Sequence, residues 1–177
     1  MPGHSPLSSK LHHKAQEEER QAAEAAAAAA LAAEEQEIAQ TILQEESQVS
    51  ADMQAAEQAA AYAEQVDPGS EAARKAKLAM ERAEADERRI VEDYTSAIRA
   101  AEDAASSRRL GDVVQAEREM KLAEQYKQDA AEALEDAEKA RADAQQAAQL
   151  AYAEAQEKFS GSSGTGGPAE SLDSGQD

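Results

Sequence analysis

The sequence predicts an all-α chain: an elongated antiparallel three-helix bundle or coiled coil with alanine-rich seams and disordered termini. Three observations carry this expectation. Aromatic residues make up 3% of the 177 residues, with one Phe and no Trp, while Ala, Glu, Lys, Leu and Arg dominate, a bias of helices packed side by side rather than of a mixed globule. Every seventh residue of one long stretch is alanine: Ala116, Ala123, Ala130, Ala137, Ala144 and Ala151. Finally, Pro68, Gly69 and Gly111 are the only Pro or Gly residues between Gln21 and Phe159, so the chain has two natural places to reverse.

Residues 1 to about 20 mix Pro, Ser, His and the run Glu17, Glu18, Glu19, Arg20 without apolar periodicity, which predicts a disordered arm. All three histidines, His4, His12 and His13, lie there. Adjacent histidines on such an arm point in different directions, and no partner stands at metal-ligand spacing, so no metal site is expected.

The first helix is expected over 21–66. Its alanine-dense opening is helical on propensity alone, and two seams follow: Ala39, Glu46, Met53, Ala60 and Ile42, Val49, Ala56, Ala63. This helix has no Lys or Arg from Gln21 to Ala73. Its acids repel one another along the helix, so a basic neighbour is expected.

In Val66-Asp67-Pro68-Gly69-Ser70, Pro fixes one φ, Gly frees the next and Ser70 can cap a second helix. That helix, over 71–110, carries nine of the eighteen bases, which makes it the expected neutralising neighbour of the first. Its seams read Ala76, Ala83, Ile90, Ala97, Ala104 and Ala73, Met80, Glu87, Tyr94, Ala101, Arg108. Gly111 at a helix end, followed by Asp112 as N-cap and Gln115 three residues on, predicts a second reversal; the alternative is continuation as one bent helix, since an isolated Gly costs only about 1 kcal/mol.

The third helix is expected over 112–159. Beside its alanine column runs Val113, Met120, Lys127, Leu134, Arg141, Ala148, where the charged side chains must snorkel past a thin seam. A flexible acidic Gly/Ser-rich tail is expected over 160–177.

If both breaks are hairpins, the numbers of facing seam residues sum to a constant for each helix pair. For the first two helices that constant is 136, pairing Ala63 with Ala73 and Ala56 with Met80. For the last two it is 224, pairing Ile90 with Leu134 and Ala101 with Ala123. Half of each constant falls at a turn, residue 68 or 112. The recurrence of Tyr62, Tyr94 and Tyr126 every 32 residues fits no heptad and is read as coincidence.

The functional expectation is a non-enzymatic helical module for protein–protein interaction, in a scaffold or assembly role. Without Cys, and with no His in the helical body, the usual general base and the strongest nucleophile are missing. No phosphate loop or metal motif appears, so no cofactor, metal or small-molecule substrate is expected. The net charge of −19 argues against nucleic-acid and anionic membrane partners. With no spanning or signal segment, a cytoplasmic setting is expected. The expected partner is another helical protein or a second copy, with Ile38, Ile42, Val49 and Met53 as the docking stripe.

Two alternatives stand beside this reading. One is a stress- or desiccation-type amphipathic protein acting on membranes or as a molecular shield. The Ala, Glu, Gln and Lys bias resembles late-embryogenesis-abundant proteins, although their eleven-residue repeat and balanced charge are missing. The other is an acidic decoy for basic partners, presented by the base-free stretch 21–73.

Overall fold

The computed structural model describes residues 6–174, with side chains described through 161. It consists of three α-helices and, among the described residues, no strand: α1 (Pro6–Val66), α2 (Glu71–Arg109) and α3 (Val113–Ser174). They pack as an up-down-up bundle, with the most extensive contact between α2 and α3.

Both turns form where the sequence places them. Gly69 has φ 68° and Gly111 φ 82°, the left-handed region where a Cβ is costly. Ser70 caps α2 by accepting a hydrogen bond from the Ala73 amide at 3.0 Å. At the other end of α2, the Asp112 amide donates to the Ser107 carbonyl and the Gly111 amide to the Arg108 carbonyl, both at 2.9 Å. This is the double closure that satisfies a helix's last carbonyls. Asp112 then accepts from the Gln115 amide at 3.1 Å and so starts α3. The Gln115 side chain bonds Glu119 instead of returning to Asp112, so the box is one-sided.

The register follows the expected constants. Paired groups on α2 and α3 sum to 225 for Arg82 with Asp143 and to 226 for Ser107 with Glu119, and Ile90 shares a core cluster with Leu134. Ala60 and Ala63 cluster with Ala73 and Ala76, and Ala56 with Met80 and Ala83. Subtracting one constant from the other leaves 88, the offset at which α1 and α3 should run parallel. Glu37 and Asp52 of α1 bond Lys127 and Arg141, and Asp67, just past the end of α1, bonds Lys158, at separations of 90, 89 and 91 residues.

Among the described residues, 22 of 27 buried apolar side chains are alanine, so the helix axes approach closely but each layer removes little area from water. The larger side chains concentrate in mid-bundle, where Ile38, Ile42, Val49 and Ile90 are fully buried, with Leu31, Tyr94, Tyr126 and Leu134 packed against them.

Several expectations need correction. Residues 6–20, expected to be disordered, are helical and exposed. Pro6 suits a first helical turn, the Glu17 carboxylate bonds Arg20 and Gln21, and extension from an established helix adds one hydrogen bond per residue ordered. The register sets Ala25 level with Gly111, so residues 6–24 overhang the bundle by about 28 Å at 1.5 Å per residue. Residues 1–5 lie outside the described residues, as do 175–177. Helix α3 continues to Ser174, past the expected end at Phe159; nothing in the composition of that segment accounts for the continuation.

The expected pairing of acidic α1 with basic α2 is also revised. Glu37 and Asp52 of α1 pair with Lys127 and Arg141 of α3, while Arg82 and Arg89 of α2 pair with Asp129, Glu132, Asp136 and Asp143 of α3. Arg82 and Arg89 flank the column of α2 that faces α3, which directs them away from α1.

Candidate interaction surface

A helix in a three-helix bundle faces two neighbours, so it needs more than the two-column stripe of a two-stranded coil. On α2 the additional column is Ala72, Ala79, Asp86, Asp93 and Ala100, buried throughout. The expected column beginning at Ala73 is buried at Ala73 and Ala101 but only half-buried at Met80, Glu87 and Tyr94.

The same geometry settles where the proposed docking stripe lies. Ile38, Ile42 and Val49 are at most 1% exposed and share one cluster with Ile90, Ala97, Ala130 and Ala137 of α2 and α3. Met53 is half-buried against the alanine cluster of Ala56, Ala79, Ala83, Ala140 and Ala144. All four side chains are used inside the chain, and a partner could reach the first three only by displacing α2 or α3.

One open groove with an uncharged lining lies between α1 and α3. Ala55, Gln58, Ala59 and Tyr62 of α1 face Gln145, Ala148, Gln149 and Tyr152 of α3 across a groove of about 490 Å³. Each α1 residue has its counterpart 90 positions later, so the two tyrosines stand at one height. None of the eight lining residues is charged. The groove is bounded along the axis by two ion pairs. Arg141 donates to Asp52 Oδ1 at 2.7 Å on one side, and Lys158 to Asp67 Oδ1 at 2.8 Å on the other. Asp52 and Asp67 are themselves buried while their cationic partners reach out to solvent, the snorkelling expected of a seam lined by methyl groups. Periodicity within one helix could not reveal this groove; the offset of 88 brings Tyr62 and Tyr152 within two residues of one level.

A second polar feature occupies the α2–α3 seam. Asp86 faces Asp136 and Asp93 faces Asp129, one heptad apart and both summing to 222. Arg89 Nε donates to Asp129 Oδ2 at 2.8 Å, and Arg82 bridges Asp136 at 2.8 Å and Asp143 at 3.0 Å. Burial, followed by the hydrogen bond with the facing carboxylate, pushes Asp86 and Asp93 up to about 7. Hydrogen bonding from Arg89 holds Asp129 down at about 2. Asp136 is lowered chiefly by its bond with Asp86.

His12 and His13 lie on the exposed overhang with ring centroids 6.4 Å apart, and His4 lies outside the described residues. Among the described residues no group of three or more His, Cys, Asp or Glu side chains is arranged to hold a metal ion. Nor is any described helix long and apolar enough to cross a membrane. Comparison with protein-family models, with curated proteins and with solved structures finds no match to the chain.

Proposed function

We propose that the chain is a non-enzymatic helical scaffold module, and that it assembles by placing a further helix in the α1–α3 groove. The observation that carries this reading is the uncharged lining of that groove in a chain of net charge −19. A second copy, equally acidic, meets least repulsion there. The groove also suits a copy related by a two-fold axis: Tyr62 and Tyr152 crowd one end, while Ala55, Ala59 and Ala148 leave room along the floor. Antiparallel pairing sets the bulky end of one copy over the small end of the other. A cytoplasmic setting belongs to the same proposal.

The internal core favours this reading over a desiccation protein that orders only on drying, since four fully buried Ile and Val side chains hold the helices together in the isolated chain. Salt separates it from the decoy reading. Self-association of like-charged rods strengthens as salt screens their repulsion, whereas capture of a basic partner weakens. Sedimentation equilibrium at low and high salt is the test, applied to the native chain and to Tyr62→Glu/Tyr152→Glu. The expected result is a dimer favoured by salt in the native chain and a monomer of unchanged helicity in the variant. Equal masses for the two chains under all conditions would overturn the assignment of the groove.

A further inference from the structure

We propose that the α2–α3 seam is a two-site proton lock, in which Asp86 shares one proton with Asp136, Asp93 shares another with Asp129, and loss of these protons loosens the seam. The placement argues for it first. Asp86 and Asp93 occupy a column otherwise made of alanine, are 6% and 7% exposed, and each keeps a buried Oδ2 without a hydrogen-bond partner. Two carboxylates facing each other in such a seam repel when both are ionised. When one is protonated, its O–H donates to the other and the pair becomes a short hydrogen bond carrying a single negative charge. The arrangement occurs twice at one register, seven residues apart on each helix, so the two sites act on the same interface.

The surrounding charges decide which partner holds the proton. On α2, Arg82 and Arg89 flank Asp86, while Arg89 and Glu92 flank Asp93. From α3, the two arginines bind Asp136, Asp143, Asp129 and Glu132, and Lys139 adds to the field at Asp136. The guanidinium groups thus stabilise the α3 carboxylates in their ionised form and leave the proton on the buried α2 acids. At the matching height α1 presents Glu45, Glu46 and Asp52. Asp52 is bound by Arg141, Glu45 is itself shifted upward by burial with Lys127 nearby, and Glu46 is half-buried. No base on α1 faces either pair, because α1 has none between Gln21 and Val66.

The carboxyl groups of Asp86 and Asp93 are raised to about 7, which puts the lock within reach of modest changes in pH. A raised carboxyl favours the folded seam fully below the ordinary value of 3.8, and this contribution is lost as pH rises through about 7. Acidification therefore closes the seam and alkalinisation opens it. An asparagine at each position mimics the protonated state, since its amide N–H donates to the facing carboxylate at every pH.

The test uses the full chain. Carboxyl-carbon NMR titration reads Asp86 and Asp93 directly, and backbone hydrogen exchange across α2 and α3, corrected for the intrinsic rate, reads the opening of the seam. Between pH 6 and pH 8.5 opening should rise about tenfold or more in the native chain, the factor equivalent to one displaced pKa unit. It should change by less than about threefold, about half a pKa unit, in Asp86→Asn/Asp93→Asn. Asp143→Asn, an exposed neighbour of Arg82, should keep the native slope. Titration of both aspartates near 4, or a double variant with the native pH slope, overturns the proposal. If the double variant does not fold, the titration of the native chain decides alone.

Discussion

Replacing Ile90 with alanine tests how an alanine-rich bundle is held together. Ile90 is fully buried, the largest such side chain of α2, and shares its cluster with Ile38, Ile42, Val49 and Leu134. Truncation removes three carbons, worth about 2.4 kcal/mol at about 0.8 kcal/mol each. A cavity term adds to this because the site cannot close. The layers on either side are Ala83 and Ala97, both fully buried, and their methyl groups already set the helix spacing at its minimum. The expected loss is about 3–4 kcal/mol, a large share of the 5–15 kcal/mol typical of a whole domain. Urea unfolding followed by circular dichroism measures it, with an unchanged slope expected if the native fold is retained. Leu78→Ala is the control, since Leu78 is 62% exposed and should stay within about 0.5 kcal/mol. A loss below about 1 kcal/mol at Ile90 would refute the reasoning, for it would mean that the alanine seams alone hold the rod.

Three further outcomes follow from the same geometry. Gly111→Ala should cost about 1 kcal/mol through its φ of 82°, with no steric clash because nothing lies within 4 Å of the added Cβ; Ser70→Ala should cost a similar amount through the lost cap, both measured as urea midpoints. Arg141→Ala strands the buried Asp52 carboxylate and should cost about 1–3 kcal/mol, whereas Lys127→Ala breaks the 3.5 Å pair with exposed Glu37, removes a favourable charge near half-buried Glu45, and should cost about 1 kcal/mol. Thermal stability against pH should peak on the acid side of neutrality. Asp129, held at about 2, contributes stability present above its ordinary value of 3.8 and lost as pH falls through about 2, while Asp86 and Asp93 withdraw theirs between about 4 and about 7. A maximum at pH 8 would show that these carboxyls do not govern the curve.

Much of the architecture was legible because alanine spacing and turn chemistry are local signals. The column from Ala116 to Ala151 is buried throughout, and Pro68-Gly69-Ser70 and Gly111-Asp112 turn the chain as their residue types demand. The two register constants then followed from arithmetic on the seams. What escaped was information that exists only between helices. Asp86 and Asp93 are invisible to an apolar periodicity because a carboxyl group carries no apolar signal and the column they complete, from Ala72 to Ala100, emerges only when a second neighbour is present. The pairing of α1 acids with α3 bases depends on a parallel offset that neither helix carries alone. Ile38, Ile42 and Val49 read as a docking stripe because a helix seen singly does not reveal that its own chain will cover it. Tyr62 has a structural partner after all, Tyr152 across the groove, at a spacing unrelated to the 32-residue recurrence.

The central claim is that one chain folds back twice, so that α1 and α3 lie parallel and adjacent. Spin labels at Gln58 and Gln149, which line one groove, test it in a single pulsed-EPR distance, measured with excess unlabelled protein to suppress signals between copies. Adjacent helices have axes about 8–10 Å apart, so a label separation of about 10–20 Å is expected. An uninterrupted helical rod would place them on the order of 130 Å apart at 1.5 Å per residue, and any dominant distance beyond about 40 Å, more than twice what neighbouring axes allow, would contradict the bundle.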